Sequence, residues 1–330
     1  MSVIASPSGS KDSFLVFPAK SEPSGLDLTK LLEALPTLDQ ALTPGGDLRE
    51  KLRSLGLVQS PLFGQKVLVT GSARQEYPKT SDGRTLFGIG DAVAEGMLQN
   101  GASVILNSFT ANMSQERLDA LRSGLSQDQK CEYLCGDMST WSGAQKLVRD
   151  AYELSGGLDT LVLNAGTFIE PSFMEMTEDH LVRTMNLNHK GPIAAIQEFV
   201  RLKGKDQEGR IIITTSINAR LGEPGHVAYD ASKAALEASM RSIVLDLAKD
   251  GYSKILINAV APGLIYTPLT HDPITADPAE HARLQGVIPM QIGWPEDLAQ
   301  HYVNLANPNC RYINGAVIDV SGGLAVRQAT

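Results

Sequence analysis

The stretch KVLVTGSAR, residues 66–74, is followed after thirteen further residues by GIGDAVAEGMLQN, residues 88–100. The first stretch begins with a short apolar run typical of a buried strand, and the second has the composition of a helix that begins at Asp91. A strand, glycines and a helix in this order predict a turn where the backbone approaches a ligand closely and free helix amides face an anion. We therefore expect a strand-turn-helix unit that binds a phosphate group.

The rest of the chain alternates in the same way between short apolar runs and helical patterns. The runs that we interpret as strands are 67–70, 103–106, 131–135, 160–163, 211–215, 255–260 and 316–320. Helices are predicted at 91–100, 142–154, 178–200 and 229–249. Buried strands that alternate with helices indicate an α/β fold, a doubly wound parallel sheet of the Rossmann type with helices on both faces.

Residues 1–63 differ from the α/β domain, which we assign to residues 64–330. They are rich in Ser and Pro at first and then contain two short amphipathic segments, at 28–35 and 47–55. The leucines at 28, 31, 32 and 35 recur at helical spacing, but a helix this short is not stable alone in water. We expect a single domain with an N-terminal helical arm, which either packs on its own domain or a sister subunit, or docks a partner protein.

Charge and composition exclude several classes of protein. A formal net charge of -8 opposes binding to nucleic acid. The three cysteines form no C-x-x-C pair and have no histidine cluster, so we expect no disulfide framework and no metal site, only reduced, mostly buried thiols. No apolar run approaches the roughly 18 residues of a membrane span, and the N-terminal residues lack a secretion signal. The expected location is the cytoplasm, without membrane attachment.

Charges near the predicted nucleotide site favour NADP(H) over NAD(H). A carboxylate at the end of the second strand would bind the ribose hydroxyls and repel a 2'-phosphate, but the sequence there is Asn107-Ser108-Phe109. Arg74, at the base of the glycine turn, can pair with that phosphate. Asp137, directly after the third strand, either accepts a hydrogen bond from the adenine amino group or caps the following helix.

Residues 75–87 interrupt the glycine turn. Without them the chain would be TGSARGIG, a tight turn with its glycines in register. We therefore interpret the segment, which contains Lys79, Asp82 and Arg84, as an insertion that loops outward. It is either a solvated surface loop or a flap over the cofactor or the cleft.

Tyr229 and Lys233 lie four residues apart at the start of a predicted helix, so both side chains lie on one face. A free tyrosine has a pKa of about 10, and a nearby ammonium lowers that pKa by stabilising the phenolate. Ser216 follows a predicted strand, at the edge where open parallel sheets place their ligands. We expect Tyr229 to protonate a developing alkoxide, Ser216 to hydrogen-bond the same oxygen, and a nicotinamide to deliver the hydride.

Over about residues 64–326 these motifs together resemble the short-chain dehydrogenase/reductase family, in its single-domain branch. They are the interrupted T-G...G-I-G, Asp137, Asn164-Ala165-Gly166, Asn188 three residues before Gly191, Ser216, Tyr229-Asp-Ala-Ser-Lys233 and Pro262-Gly263-Leu-Ile-Tyr-Thr267. The resemblance implies a catalytic tetrad of Ser216, Tyr229, Lys233 and Asn188. In this tetrad Lys233 would also hold the nicotinamide ribose, and Asn188 would support a water relay. Asn186 is the alternative candidate for supporting the relay.

The same resemblance implies the cofactor contacts. Thr267 would bond the nicotinamide carboxamide, and residues 164–166 would line the adenosine ribose side. The expected cofactor-binding residues are Gly71, Ser72, Arg74, Gly88, Ile89, Gly90, Ser108, Asp137, Met138, Asn164, Ala165, Gly166, Tyr229, Lys233, Pro262, Gly263 and Thr267. A homo-oligomer, either a tetramer or a dimer, is implied as well, assembled through the predicted helices 178–200 and 229–249.

The chain looks most like reductases of the 3-oxoacyl-carrier-protein type. This implies NADPH-dependent reduction of a ketone or a 3-oxoacyl group, with a small molecule or an acyl thioester as the substrate. The alternatives are oxidation of a secondary alcohol with NAD(P), and a non-catalytic scaffold that binds a partner through its arm. Residues 264–288 are expected to form the variable substrate loop, and the side chains noted in or near it are Tyr266, Pro268, His271 and Met290.

Overall fold

Seven strands form one parallel sheet in the computed structural model, which describes residues 60–80 and 82–326. In chain order they are β1 Lys66–Val69, β2 Ser103–Ser108, β3 Cys131–Cys135, β4 Thr160–Leu163, β5 Gly209–Thr214, β6 Ile255–Pro262 and β7 Val317–Val320. Their order across the sheet is β3-β2-β1-β4-β5-β6-β7. The predicted doubly wound parallel sheet is confirmed. The predicted arm lies outside the described residues, apart from residues 60–63.

Helices cover both faces of this sheet. They are α1 Ile89–Gln99, α2 Gln115–Arg122, α3 Trp141–Ser155, α4 Glu178–Met185, α5 Gly191–Lys203, α6 Val227–Lys249, α7 His271–Thr275, α8 Pro278–Val287 and α9 Glu296–Ala306. One core lies between the sheet and the α1–α9 pair, and the other lies between the sheet and α3, α5 and α6. The helix α1 approaches α9 closely at Gly96, where a Cβ would lie 3.1 Å from that of Ala299.

The central strands explain why the sequence revealed the sheet so clearly. Every residue of β4 and β5 is buried, because helices cover both sides of these strands. A strand in that position needs apolar side chains at successive positions, and this produces a continuous hydrophobic run. Each predicted strand therefore overlaps an observed one, with ends that differ by two residues or fewer.

Residues 178–200 are helical, as predicted, but they do not form one regular α-helix. The chain instead forms α4, a π-helical turn at Asn186–Lys190, and then α5. The first residue of α5, Gly191, packs directly on the loop after β3, where a Cβ would lie 1.8 Å from the Met138 carbonyl oxygen. The wider turn accommodates this close approach while the helical hydrogen bonding continues, and hydrophobic periodicity does not register such a change.

Four helices were missing from the sequence interpretation: α2, α7, α8 and α9. The helix α9 had a usable signal, since Pro295 precedes Glu296 and Asp297 at its start. The pair α7 and α8 lies within the segment that was interpreted only as a substrate loop. Among the described residues no helix has the length and apolar character needed to cross a membrane. Of the three free thiols only Cys131 is buried, so the expectation of mostly buried cysteines is also wrong.

The strand order determines where a ligand can bind. After β3 the chain returns to the other side of β1 and forms β4, so the carboxyl ends of β1 and β4 are neighbours while their connections leave in opposite directions. The crevice at such a reversal is where open α/β sheets bind their ligands.

Candidate active site

A cleft of about 1090 Å³ lies along this carboxyl edge. Sixteen of the predicted site residues line it: Gly71, Arg74, Gly88, Ile89, Ser108, Asp137, Met138, Asn164, Ala165, Gly166, Ser216, Tyr229, Lys233, Pro262, Gly263 and Thr267. Three others, Ser72, Gly90 and Asn188, are not part of its wall. The fold thus gathers residues from the ends of all six of the strands β1 to β6 around one space.

The glycine turn depends on close backbone packing. Gly71 has a φ of +64°, and a Cβ there would lie 2.8 Å from Cα of Ala165. At Gly90 a Cβ would lie 2.5 Å from the Gly71 carbonyl oxygen. The Ser72 hydroxyl points inward, where it donates to the Val69 carbonyl at 2.6 Å. Ser72 and Gly90 therefore shape the turn, and the Ser72 side chain is not directed at the cleft.

The start of α1 offers a binding site for an anion. Gly88 caps the helix without a side chain, and a Cβ at this position would meet open space. Within the described part of the chain, the N–H groups of Ile89 and Gly90 have no acceptor. Unpaired amides at a helix N-terminus bind phosphate groups well, and the helix dipole adds to the attraction. The residues present therefore fit the diphosphate of a dinucleotide.

At the end of β2 the structure shows what each polar side chain does. Asn107 is buried and ties neighbouring loops together, since its Nδ2 donates to the carbonyls of Leu134 at 3.1 Å and Gly136 at 3.2 Å. The hydroxyl oxygens of Ser108 and Thr110 lie 3.1 Å apart and both residues line the cleft. Thr110 was not predicted from the sequence, although a second hydroxyl just after a strand end was a usable signal.

Arg74 also lines this end of the cleft, and its side chain is exposed. Its guanidinium makes no hydrogen bond or ion pair within residues 60–80 and 82–326. A cation without a protein partner, beside two hydroxyl groups, is a suitable arrangement for an anionic ligand.

The proposed helix cap at Asp137 is wrong, because Thr140 caps α3 by accepting from the Gly143 N–H at 3.1 Å. Asp137 instead accepts from the Ser139 N–H at 2.8 Å in a local turn, while its residue lines the cleft. The interpretation of Asp137 as an acceptor for adenine stays a prediction.

Ser216, Tyr229 and Lys233 come together at the floor of the cleft. Ser216 follows β5 in an extended conformation, and Tyr229 lies in the first turn of α6. The Ser216 hydroxyl lies close enough to the Tyr229 phenol to lower its pKa. Lys233 is buried one turn later, with Nζ donating to the Thr214 carbonyl at 2.9 Å and lying 5.6 Å from the Tyr229 ring centroid.

Burial determines the protonation of Tyr229 and Lys233. It raises the pKa of Tyr229 to about 12, and the hydrogen bond with Ser216 offsets only part of that rise. Burial also lowers the pKa of Lys233 to about 8. The expected lowering of the tyrosine pKa by the lysine is therefore not found in the protein alone, since removal from water disfavours both charged forms.

Asn188 is buried on the π-helical turn, and its side-chain amide is hydrogen-bonded through both its oxygen and its nitrogen. Its Oδ1 accepts from the Thr167 N–H at 2.8 Å, and its Nδ2 donates to the Thr167 carbonyl at 2.9 Å and the Ser232 hydroxyl at 3.0 Å. The amide thus fixes the loop after β4 against α6. The rival residue, Asn186, does line the cleft.

An aromatic contact beside the tyrosine was not foreseen. Phe168 packs edge-to-face on Tyr229 with the ring centroids 5.1 Å apart, and on His226 at 4.7 Å. His226 in turn lies within 4 Å of three carboxylates, those of Glu170, Glu223 and Asp230. No sequence motif marks these residues, because their contacts join the loop after β4 to the start of α6.

The segment after β6 forms the other wall of the cleft. The hydroxyl oxygens of Thr267 and Thr270 lie 3.0 Å apart, and both residues line the cleft together with Pro268. Tyr266 is buried in a small apolar cluster with Ile274, Ile288 and Ile292. Two other side chains noted from the sequence have separate positions: His271 lies beside the Tyr266 ring, and Met290 is exposed.

The insertion is an ordered hairpin, described at residues 75–80 and 82–87. Its two arms meet at an antiparallel bridge between Lys79 and Thr85, and Leu86 is buried in the domain. Gln75 and Glu76 line the cleft. Most of its described residues are exposed, as expected of a surface loop, and the alternative, a flap over the cofactor or the cleft, stays a prediction.

Comparisons with known proteins relate the chain to a group of oxidoreductases. Residues 85–325 match a family model described as "Enoyl-(Acyl carrier protein) reductase". The chain is 33% identical to L-rhamnose-1-dehydrogenase of Scheffersomyces stipitis, over 72% of this chain and 92% of that protein. It is 32% identical to L-rhamnose 1-dehydrogenase (NAD(P)(+)) of Sphingomonas sp., over 80% of this chain and 98% of that protein. A short-chain dehydrogenase/reductase structure from Serratia marcescens superposes with a TM-score of 0.66 at 29% sequence identity. The superposition covers 80% of this chain and 99% of that one.

Proposed function

This chain belongs to the short-chain dehydrogenase/reductase family and is therefore an NAD(P)-dependent oxidoreductase, and we propose that it uses NADP(H) and acts on a carbonyl or hydroxyl group through Ser216, Tyr229 and Lys233. The observation behind the proposal is that Ser216 and Tyr229 line the same cleft, with the Lys233 amine one helical turn after the tyrosine. Two hydroxyl groups side by side can address one substrate oxygen, which suits the interconversion of a ketone and an alcohol.

The bound nicotinamide supplies or accepts the hydride. In the reductive direction Tyr229 donates its proton to the substrate oxygen, and a pKa of about 12 keeps the phenol protonated at neutral pH. Ser216 hydrogen-bonds the same oxygen. In the oxidative direction the phenol must first lose its proton, which burial opposes, and the Lys233 ammonium then stabilises the phenolate.

For Asn188 we propose a role through its main chain. The side-chain amide already makes three hydrogen bonds to the protein, which use both of its N–H donors. The residue four positions later, Pro192, has no N–H to donate to the Asn188 carbonyl, so this oxygen lacks the usual helical donor. Gly166 separates Asn188 from Lys233, and a Cβ there would lie 3.6 Å from Nζ of Lys233. A water held by this carbonyl would connect Lys233 to a proton relay.

The substrate class that we propose is a polyhydroxylated alcohol such as an aldose. Two relatives above 30% identity have names that specify dehydrogenation of L-rhamnose. The ring of His226 lies 6.2 Å from that of Tyr229, so this histidine and its three neighbouring carboxylates supply polar groups near the proposed reacting hydroxyl. The second candidate is reduction of a ketone or a 3-oxoacyl group, which the protonated Tyr229 favours at neutral pH.

A substrate panel tests both candidates. The purified full chain is assayed with NADP+ and a series of aldoses, and with NADPH and a series of ketones and 3-oxoacyl thioesters. Turnover of aldoses with the higher kcat/KM supports the first candidate, and the reverse ranking supports the second. The absence of turnover in both directions would contradict the proposed function.

Cofactor preference gives a separate prediction. Arg74→Ala is expected to weaken NADPH binding by about 1 to 3 kcal/mol, because a charge-assisted contact to the 2'-phosphate is lost. NADH binding should be nearly unchanged, and titration of both cofactors measures the difference. Arg311→Ala, at an exposed arginine that does not line the cleft, is the control. Tighter binding of NADH than of NADPH by the unmodified protein, or an equal loss of both in the variant, would count against the proposal.

The homo-oligomer and the cytoplasmic location stay predictions, as does the function of the arm in residues 1–63.

A further inference from the structure

The hairpin of residues 75–87 begins and ends at the proposed diphosphate site. It leaves the glycine turn after Arg74 and returns to it at Gly88, and both of these residues line the cleft. Its first two residues, Gln75 and Glu76, extend the same wall. Any movement of the hairpin therefore changes the opening through which a dinucleotide would enter.

The base of the hairpin is firmly attached to α1. Asp91, in the first turn of α1, is buried, and it accepts hydrogen bonds from the Tyr77 hydroxyl and from Nε of Arg117 at 2.9 Å. The Arg117 guanidinium also lies 4.3 Å from the centroid of the Phe87 ring. A buried carboxylate that loses its partners is strongly destabilised, so this end of the hairpin is held rigidly.

The far end of the hairpin is attached at the start of α9 and to the residue that lies just before it. The guanidinium carbon of Arg84 lies 3.3 Å from the centroid of the Trp294 ring, and Nη2 lies 3.4 Å from the Glu296 carboxylate. Trp294 packs on Tyr266 with the ring centroids 4.8 Å apart. The preceding residue, Gly293, donates its N–H to the Leu264 carbonyl at 3.1 Å. Arg84 is thus joined to the segment that lines the cleft after β6.

The contacts of Arg84 hold the far end of the hairpin in place, but they are weak enough to break reversibly. The side chains of Arg84 and Glu296 are 43% and 55% exposed, so their ion pair contributes little. The stacking of a guanidinium on a tryptophan ring is the larger contribution, although it too is modest at an exposed position. The base of the hairpin is different, because Tyr77 donates a hydrogen bond to the buried carboxylate of Asp91.

We propose that the hairpin is a strap that retains the cofactor, and that Arg84 and Trp294 are its latch. They are positioning residues: they hold the strap from the glycine turn to the segment after β6, and release of NADPH requires the latch to open. The inference rests on the proposed function, because it requires a dinucleotide in the cleft.

Breaking the latch should speed cofactor release. NADPH is bound to the full chain and chased with excess unlabelled NADP+ in a stopped-flow instrument, with the nicotinamide fluorescence as the signal. For Arg84→Ala we expect dissociation about three to ten times faster than for the unmodified protein. Arg84→Lys keeps the cation and should restore part of the difference. The melting temperature of the cofactor-free protein should hardly change, because surface substitutions rarely alter stability much.

A matched variant separates the latch from a general effect of losing a surface arginine. Arg122→Ala removes an arginine of similar exposure, 41%, that pairs with Glu132 at 3.1 Å and makes no ion pair with the strap. It should release NADPH at the unmodified rate. Trypsin gives a second readout that does not need turnover: bound NADPH should slow cleavage after Lys79 in the unmodified protein, and it should protect less in Arg84→Ala.

The possible failures can be told apart. If the unmodified protein binds neither NADPH nor NADH, the proposed function and the strap are both wrong. If NADPH binds but Arg84→Ala releases it at the unmodified rate, or if NADPH gives no protection after Lys79, the strap is wrong and the proposed function stands. If Arg84→Ala and Arg122→Ala accelerate release equally, the latch is not the cause.

Discussion

Replacing Tyr229 by phenylalanine is expected to lower turnover about a thousandfold or more, while NADPH binding stays close to that of the unmodified protein. The substitution removes only the hydroxyl that moves the proton, and general acid catalysis accounts for about two to four orders of magnitude. The neighbouring Ser216 hydroxyl is no substitute, because a serine is a far weaker acid. The ring itself is retained, so its edge-to-face contact with Phe168 should persist. Single-turnover kinetics with saturating cofactor, together with a fluorescence titration of NADPH, measure both quantities.

The matched control for this variant is Tyr252→Phe. Tyr252 is half-buried between α6 and β6, at the opposite end of the sheet from the cleft. The Tyr252→Phe variant should keep full turnover. A Tyr229→Phe variant with nearly normal turnover would show that another group supplies the proton, and the proposed chemistry would be wrong.

Lys233→Met is expected to reduce turnover as severely and to weaken NADPH binding too. The side chain is 4% exposed, so the variant removes a buried amine beside the tyrosine, and with it a proposed contact to the nicotinamide ribose. The pKa of the phenol should rise when the ammonium is absent, because the phenolate loses its stabilising charge. Any residual oxidation rate should therefore increase only at a higher pH than in the unmodified protein. Rate measurements across a range of pH, with cofactor titrations at each point, test this.

The same variant should be more stable than the unmodified protein near pH 7. The pKa of Lys233 is about 8 in the folded protein, against 10.5 as the ordinary value that applies to the unfolded chain. Between these values the unfolded chain binds more protons, so the stability of the unmodified protein should rise with pH through that window. Below pH 8 the buried ammonium costs about 3 kcal/mol, and the hydrogen bond to Thr214 recovers about 1 kcal/mol.

Chemical denaturation at several pH values checks this expectation. The rise in stability between about pH 8 and 10.5 should be missing in Lys233→Met. Lys203→Met is the control, because Lys203 is also buried but lies near Asp159, on the other edge of the sheet. That variant should lose stability and keep its turnover. If Lys233→Met is less stable than the unmodified protein, and its stability changes with pH in the same way, the buried amine does not destabilise the folded protein.

The sequence was sufficient for those features that depend on a residue's immediate neighbours along the chain. A strand such as β5 is buried on both faces, so its apolar run is visible without any knowledge of the helices that cover it. The spacing of Tyr229 and Lys233 places both on one helical face in any α-helix. The glycine turn was recognisable in the same way, even though residues 75–87 interrupt it.

The sequence was insufficient where function depends on which distant groups meet. It identified Asn188 but not that Thr167 and Ser232 occupy its amide. It predicted a lowered pKa for Tyr229 from one neighbour, whereas the surrounding burial raises that pKa.

In this protein the fold therefore follows from local sequence patterns, whereas the chemistry of the site depends on tertiary contacts. The local sequence alone indicated the parallel sheet, the order of its strands along the chain and the candidate catalytic residues, because backbone geometry and helical periodicity act over a few residues. Only the tertiary structure decided the protonation of the site and the attachment of the insertion, since Arg84 and Glu296 meet across 212 residues. Burial and long-range contacts are properties of the whole packed chain, and no short stretch of sequence contains them.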